Sequence, residues 1–392
     1  MPPDSANDGA NLLFTLAEVA DRRAALPTGR LVEVPEFGDN PGNLRLHVYL
    51  PRRLSQRAPV VVVAHGCQQS AAAYDQGAGW SHLAERWGFA LIFPEQKREN
   101  NSQGCFNWFD PSQVRRDGGE VASVRTMVAW ALDAVDGDPA RVFATGLSAG
   151  GALTAALLAT YPEVFAAGAV LGGLPYRCAS SVSEALGCMY QGRRLPPAEW
   201  GDLVRDASDH TGVWPRVSIW HGTRDTTVRA TNAEELAKQW TDVHGLAIGA
   251  FEEEMVSGYP RRFWRGSDGA VLVESYEITG MAHGLPIHAG EEEHQVGRPG
   301  AFMFDVSIAS TYHIGKFWGL DQPPPPPEPG GTTETETPPA EPAATVKPTR
   351  AKKTARPAKA ATSAPSPVPA PEPAGLEPPA ADEAPPEPEP MP

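Results

Sequence analysis

The sequence predicts an α/β fold, a mostly parallel central sheet with helices on both faces. Three observations carry this expectation. Apolar runs recur between turn residues, and an unalternated one such as Val60 to Ala64 reads as a strand covered on both faces. Helix-forming stretches separate them, as at Ala152 to Ala159. The run Val142 to Thr145 leads through Gly146-Leu147-Ser148-Ala149-Gly150 straight into that helix, which makes a strand, turn and helix unit.

Taken in order, residues 1–29 are an N-terminal extension, expected to be helical. Leu12-Leu13-Phe14-Thr15-Leu16 is too short for the apolar centre of a secretion signal and is followed by Glu18, Asp21, Arg22 and Arg23, so it reads as an amphipathic helix. Residues 30–321 alternate strand and helix signals and are expected to form one domain around one core. Val60 to Ala64 ends at the turn His65-Gly66-Cys67. Glu120 follows Gly118-Gly119 at the start of a helix through Ala131, where a carboxylate favours the helix N-terminus. A strand at Ala169 to Gly172 precedes residues 174–215, whose Tyr176, Tyr190, Trp200 and Trp214 show little periodicity and read either as a small cap over a pocket or, for any one ring the stronger reading, as packing of the loop onto the domain. Val217 to Trp220 is a strand ending at His221-Gly222-Thr223-Arg224-Asp225, and Val271 to Ile278 is another, before the glycine-flanked loop that carries His283. No run approaches the ~18 apolar residues of a membrane span.

The turn after Val142 to Thr145 points to chemistry. A serine hydroxyl is a weak nucleophile unless it is held out from the backbone beside a base and oxyanion donors, and a tight strand-to-helix turn supplies that placement for Ser148. Asp225 and His283 follow downstream in the order serine, acid, histidine of α/β hydrolases, each at the end of a strand. His283 is the expected base and then acid, with Asp225 fixing its tautomer. The expected oxyanion donors are the backbone N–H groups of Ala149, after the nucleophile, and Cys67, after the strand that ends at Ala64. His65 reads as shaping that loop and His221 as a packing or hydrogen-bonding residue. The other seven histidines, at 47, 82, 210, 244, 288, 294 and 313, read as surface or core, and Asp209 and Asp242 follow no apolar strand. In Cys105-Phe106-Asn107-Trp108-Phe109, Trp108 and Asn107 are the expected substrate contacts, at a pocket rim.

His65-Gly66-Cys67-Gln68-Gln69-Ser70, Phe93-Pro94-Glu95-Gln96, Cys105 to Phe109, Gly146 to Gly151, Tyr161-Pro162-Glu163-Val164-Phe165, Gly173-Leu174-Pro175-Tyr176 and His221 to Asp225 together resemble the polyhydroxybutyrate depolymerase family of esterases, which is related to feruloyl and acetylxylan esterases. The resemblance spans about residues 30–320. It implies an α/β-hydrolase fold, a serine mechanism with Ser148, Asp225 and His283 as triad, a polyester or other ester substrate, and no metal or cofactor. It also favours Cys67 with Cys105 and Cys178 with Cys188 as disulfides. Against secreted members, the chain shows neither a signal peptide nor a polymer-binding domain. The expectation is therefore a cytoplasmic enzyme, free or on a polymer granule, acting on mobile chains; the alternative is an extracellular one. Two other readings stand beside it, a feruloyl or acetylxylan esterase and a non-catalytic granule protein. Three residues at separate strand ends, each of a triad type, weigh against the last.

Composition changes abruptly at Gln322. Residues 322–392 hold 23 of the 41 prolines and no aromatic residue, too little apolar surface to offset the entropy of ordering, so this tail is expected to be disordered. The tail has ten acidic and six basic residues, which leaves −11 of the chain's net −15 to the rest. A domain of that charge does not read as a nucleic-acid binder. Within the tail, Lys347, Arg350, Lys352, Lys353, Arg356 and Lys359 form a basic patch at 347–359, a solvated charge block or a contact with a polyanion, and no aromatic residue interleaves them for base stacking.

Overall fold

The computed structural model describes residues 26–322. They lie within one unit of the chain, residues 1–327. The expected N-terminal helix and the proline-rich tail with its basic patch fall outside the described residues.

A ten-stranded sheet has the order β1-β2-β4-β3-β5-β6-β7-β10-β9-β8. Its centre is parallel: β4 (Ala90–Glu95), β3 (Val60–Ala64), β5 (Val142–Leu147), β6 (Ala167–Leu171), β7 (Arg216–Gly222) and β10 (Val271–Ile278). Antiparallel strands finish both edges, β1 (Leu31–Val34) and β2 (Arg45–Tyr49) on one side, β8 (Glu252–Val256) and β9 (Tyr259–Arg265) on the other.

Successive strand side chains point to opposite faces, so each central strand feeds two cores. In β3, Val60, Val62 and Ala64 enter one core while Val61 and Val63 enter the other, and all five are fully buried. The first face is covered by α3 (Gly119–Val135), α4 (Ala149–Thr160), α5 (Val182–Gln191), α6 (Pro197–Arg205) and α7 (Thr231–Val243), and the second by α1 (Ala71–Ala78), α2 (Trp80–Trp87) and α8 (Ser310–Phe317). This is the layered architecture expected from the sequence, with strand ends on one edge of the sheet free to carry a site. A short parallel pair, β11 (Leu285–Ile287) and β12 (Met303–Asp305), follows the histidine loop. After α8, Trp318 stacks on both Trp80 and Phe143, at ring separations of 5.7 and 5.0 Å, and ties the end of the domain to the sheet.

The expected cap at 174–215 is α5 and α6 packed on α7. Trp200 is fully buried and donates to Glu235 at 2.7 Å, and Tyr176 donates to the Val114 carbonyl at 3.1 Å. These rings hold the segment down, whereas Tyr190 is half exposed.

Candidate active site

Ser148 stands between β5 and α4 with φ 58° and ψ −118°, a strained conformation for a residue with a side chain. The crossing beneath it requires two glycines. A Cβ on Gly146 would strike the Gly150 backbone, and one on Gly150 would strike the Ala64 and His65 carbonyls. The Ser148 N–H is tied to the Leu171 carbonyl at 2.9 Å, and its hydroxyl has no hydrogen-bond partner among the described residues. Leu171 leads to Gly172, where a Cβ would lie 3.4 Å from the His283 ring and 3.6 Å from Asp225 Oδ2. The backbone after β6 thus brings the elbow, the acid and the imidazole to one place.

Asp225 ends the turn after β7, and the histidine loop is clipped to that turn. Arg224 N–H donates to Met281 O at 3.0 Å and Gly280 N–H to Thr223 Oγ1 at 2.8 Å. His283 Nδ1 then meets Asp225 Oδ2 at 2.7 Å, while the other carboxylate oxygen accepts the N–H groups of Thr227 and Val228 at 2.9 and 2.8 Å. His221 Nε2 adds a longer contact at 3.3 Å, alongside its bond to the Val228 carbonyl at 2.7 Å. Burial opposes ionisation of Asp225, but the donors from His221 and His283 outweigh it and hold the carboxyl well below its ordinary range. The acid is an anion that fixes the His283 proton on Nδ1 and leaves Nε2 to accept one. His221 has the hydrogen-bonding role expected of it.

The two expected oxyanion donors sit against this group. The N–H groups of Cys67 and Ala149 have no acceptor among the described residues. A Cβ on Gly66 would meet Ser148 Cβ at 3.6 Å, so the 65–67 turn lies on the elbow. His65 aims that turn. Its Nε2 accepts the Gln96 N–H at 3.1 Å, which leaves the proton on Nδ1 for the Gly66 carbonyl at 2.7 Å. Since carbonyl and N–H point oppositely across a trans peptide, holding Gly66 O turns Cys67 N–H the other way. Burial pushes the His65 imidazole pKa down and keeps the ring neutral.

Behind His65 is a network that the sequence reading missed. Glu120 is fully buried; its Oε1 accepts Gln96 Nε2 at 2.6 Å and Asn107 Nδ2 at 2.8 Å, and its Oε2 accepts the Asn107 N–H at 2.9 Å. Burial drives its pKa up to about 7 against these three donors. The expected role of a helix-terminal carboxylate is therefore corrected: Glu120 makes no capping bond and instead joins the strand end at Gln96 to the loop at Asn107. One signal was available, a charged residue on the apolar face that Val121 and Val124 continue.

Two further expectations are corrected. Asn107 is no rim residue, since its amide is spent on Glu120 and Asn101, and Trp108 is only 7% exposed and packs in the core edge-on to Phe109. The Phe106 and Trp108 rings are turned inward and buried, so Trp108 offers no open face to substrate. Cys67 is bonded to Cys105 as expected, whereas Cys178 and Cys188 are buried thiols, with Cys188 Sγ donating to the Cys178 carbonyl at 2.8 Å in place of a disulfide.

The comparisons with known proteins follow the same lines. A family profile described as Esterase PHB depolymerase matches residues 44–254. The chain is 43% identical over 291 residues to poly(3-hydroxyalkanoate) depolymerase C of Paucimonas lemoignei, covering 74% of this chain and 70% of that one. It is 38% identical over 241 residues to feruloyl esterase B of Thermothelomyces thermophilus, covering 60% and 80%. Among solved structures, an acetyl xylan esterase from Aspergillus awamori superposes with a TM-score of 0.64 at 27% identity, covering 74% of this chain and all of that one. With a profile matched over more than half its length and a relative this similar, the chain belongs to the esterase PHB depolymerase family of carboxylic ester hydrolases.

Proposed function

We propose that the protein cleaves poly(3-hydroxybutyrate) or short hydroxyalkanoate oligomers, with Ser148 as nucleophile, His283 as base and acid, and Asp225 as its anchor. The observation that carries the mechanism is the 2.7 Å contact between Asp225 and His283 beside a strained serine flanked by two unbonded amides. Ser148 Oγ attacks the ester carbonyl as His283 Nε2 takes its proton. The resulting oxyanion accepts the N–H groups of Cys67 and Ala149, a contribution of about 3 kcal/mol for each donor in other enzymes. Collapse breaks the C–O bond, and His283 returns the proton to the leaving alcohol, which leaves an acyl-serine. Water, deprotonated by the same imidazole, repeats the addition and releases the acid.

The substrate class rests on the 43% identity to a named poly(3-hydroxyalkanoate) depolymerase. A second reading, a carbohydrate esterase, is favoured by the feruloyl and acetyl xylan esterases among the relatives. Release of soluble hydroxy acid from amorphous polyhydroxybutyrate, compared with release of acid from feruloylated and acetylated xylan, separates the two. Faster turnover of the polyester supports the first, and cleavage of xylan esters alone overturns it. We place the catalytic domain at residues 30–321 and assign residues 322–392 a spacer or granule-contact role on their composition. The Cys67–Cys105 bond favours an oxidising compartment, which weighs against the cytoplasmic expectation.

A further inference from the structure

A cleft of about 820 Å³, a size typical of small-molecule sites, runs between the turn after β3 and the segment from Arg298 to Met303. Gln68 and Gln69 of the oxyanion turn form part of its wall, and so does Phe302, whose ring packs edge-on to the His283 imidazole at 6.2 Å. The leaving alcohol takes its proton from His283, so the alcohol half of a substrate lies on the imidazole side. Phe302 joins that side of the imidazole to the cleft.

The charge in this cleft is opposite to that of the molecule. Arg45, Lys97, Arg98 and Arg298 line it together with one carboxylate, Glu95, on a chain of net charge −15. Glu95 is already spent, accepting Arg45 Nη1 at 3.3 Å and the Ala71 N–H at 2.8 Å. Lys97 donates to Asn43 at 2.6 Å and lies 3.8 Å from Glu99. Two guanidinium groups remain. Arg98 makes one 3.4 Å bond to the Ser102 carbonyl, and neither Arg98 nor Arg298 forms an ion pair among the described residues. A guanidinium presents a planar fork that matches a carboxylate.

We propose that Arg98 and Arg298 bind the terminal carboxylate on the alcohol half of a hydroxyalkanoate oligomer, making the cleft the site that selects acid-ended chains. This deepens the polyester reading and rests on it. In a hydroxyalkanoate chain the alcohol half ends in a carboxylic acid, ionised at neutral pH, whereas the alcohol half of a feruloyl or acetyl sugar ester is neutral. The net charge of the chain repels an anionic oligomer, and the cationic residues of the cleft wall oppose that repulsion locally.

The test measures kcat and KM on a 3-hydroxybutyrate trimer with a free carboxylate and on its methyl ester, for the wild type and the double variant Arg98→Ala, Arg298→Ala, over a salt series. The wild type is expected to favour the free acid by about tenfold in kcat/KM at low salt, through KM, with the gap closing as salt rises. The double variant loses the gap and keeps its rate on the methyl ester. Absence of the gap in the wild type, its survival in the variant, or equal losses on both trimers overturns the assignment. A wild type that cleaves p-nitrophenyl acetate but neither trimer overturns the polyester reading instead. The cleft is then judged separately by whether the 3-hydroxybutyrate dimer acid inhibits aryl-ester hydrolysis in the wild type and not in the variant; equal inhibition rejects it.

Discussion

At the scale of single residues, a chain of buried hydrogen bonds runs from Glu120 to the turn that carries the Cys67 N–H. Glu120 holds Gln96 and Asn107; the backbone of Gln96 holds His65, and His65 holds the carbonyl whose peptide aims the Cys67 N–H. Glu120→Gln keeps the volume but turns an amide donor toward groups that are themselves donors. The expected result is a loss of about ten- to a hundredfold in kcat with KM nearly constant, because the oxyanion forms only in the transition state. Steady-state kinetics on a soluble short-chain ester, with a thermal melt to confirm folding, checks this. An unchanged kcat would separate Glu120 from the oxyanion loop.

At the scale of elements, the strands and turns that carry Ser148, Asp225 and His283 were legible because their signals are local. β3 is an unbroken apolar run, β5 is a β-rich run that leads into the elbow with its five-residue signature, and Asp225 and His283 each follow a strand. The hairpin of β8 and β9 was not legible. Its residues are charged on both faces, and it is held by cross-strand pairs, Glu252 with Arg265 at 3.0 Å and Glu253 with Arg262 at 2.8 Å, which periodicity in one strand does not reveal. Such charged edges also keep an open sheet from pairing with another. α5 and α6 were hidden for another reason, since each is short and its apolar face is completed only by packing on α7. Trp108 was misjudged because an aromatic beside a polar residue looks the same in sequence whether the polar neighbour faces solvent or a buried carboxylate. The Glu120 network is spread over positions 65, 96, 107 and 120, so only the fold assembles it.

At the scale of the whole molecule, burial of neutral imidazoles sets the response to acid. Burial pushes His244 down to about 4, partly offset by its bond to the Pro215 carbonyl. Burial also takes His313 to about 4, helped by the charges of Arg261 and His294, and it lowers His65 as well. A histidine whose folded pKa is depressed stabilises the fold above its unfolded value of about 6.5, and that stability is lost as pH falls toward the folded value. Glu120, raised to about 7, acts in the opposite sense, its contribution fading as pH rises through 7. His82 is lowered in the same way, while Asp75 and Glu274, raised by burial, act with Glu120, so the histidine contribution is read from one group: His313→Phe should flatten the fall in melting temperature between pH 6.5 and 4. An equally steep limb in the variant would remove His313 from the account. Covalent catalysis by Ser148 is tested by intact-mass analysis after treatment with an aryl phosphonate ester. The expected result is one adduct mapping to Ser148 with complete loss of esterase activity, and neither adduct nor activity in Ser148→Ala. Labelling elsewhere, or a Ser148→Ala enzyme that keeps more than about a hundredth of wild-type turnover, would contradict it.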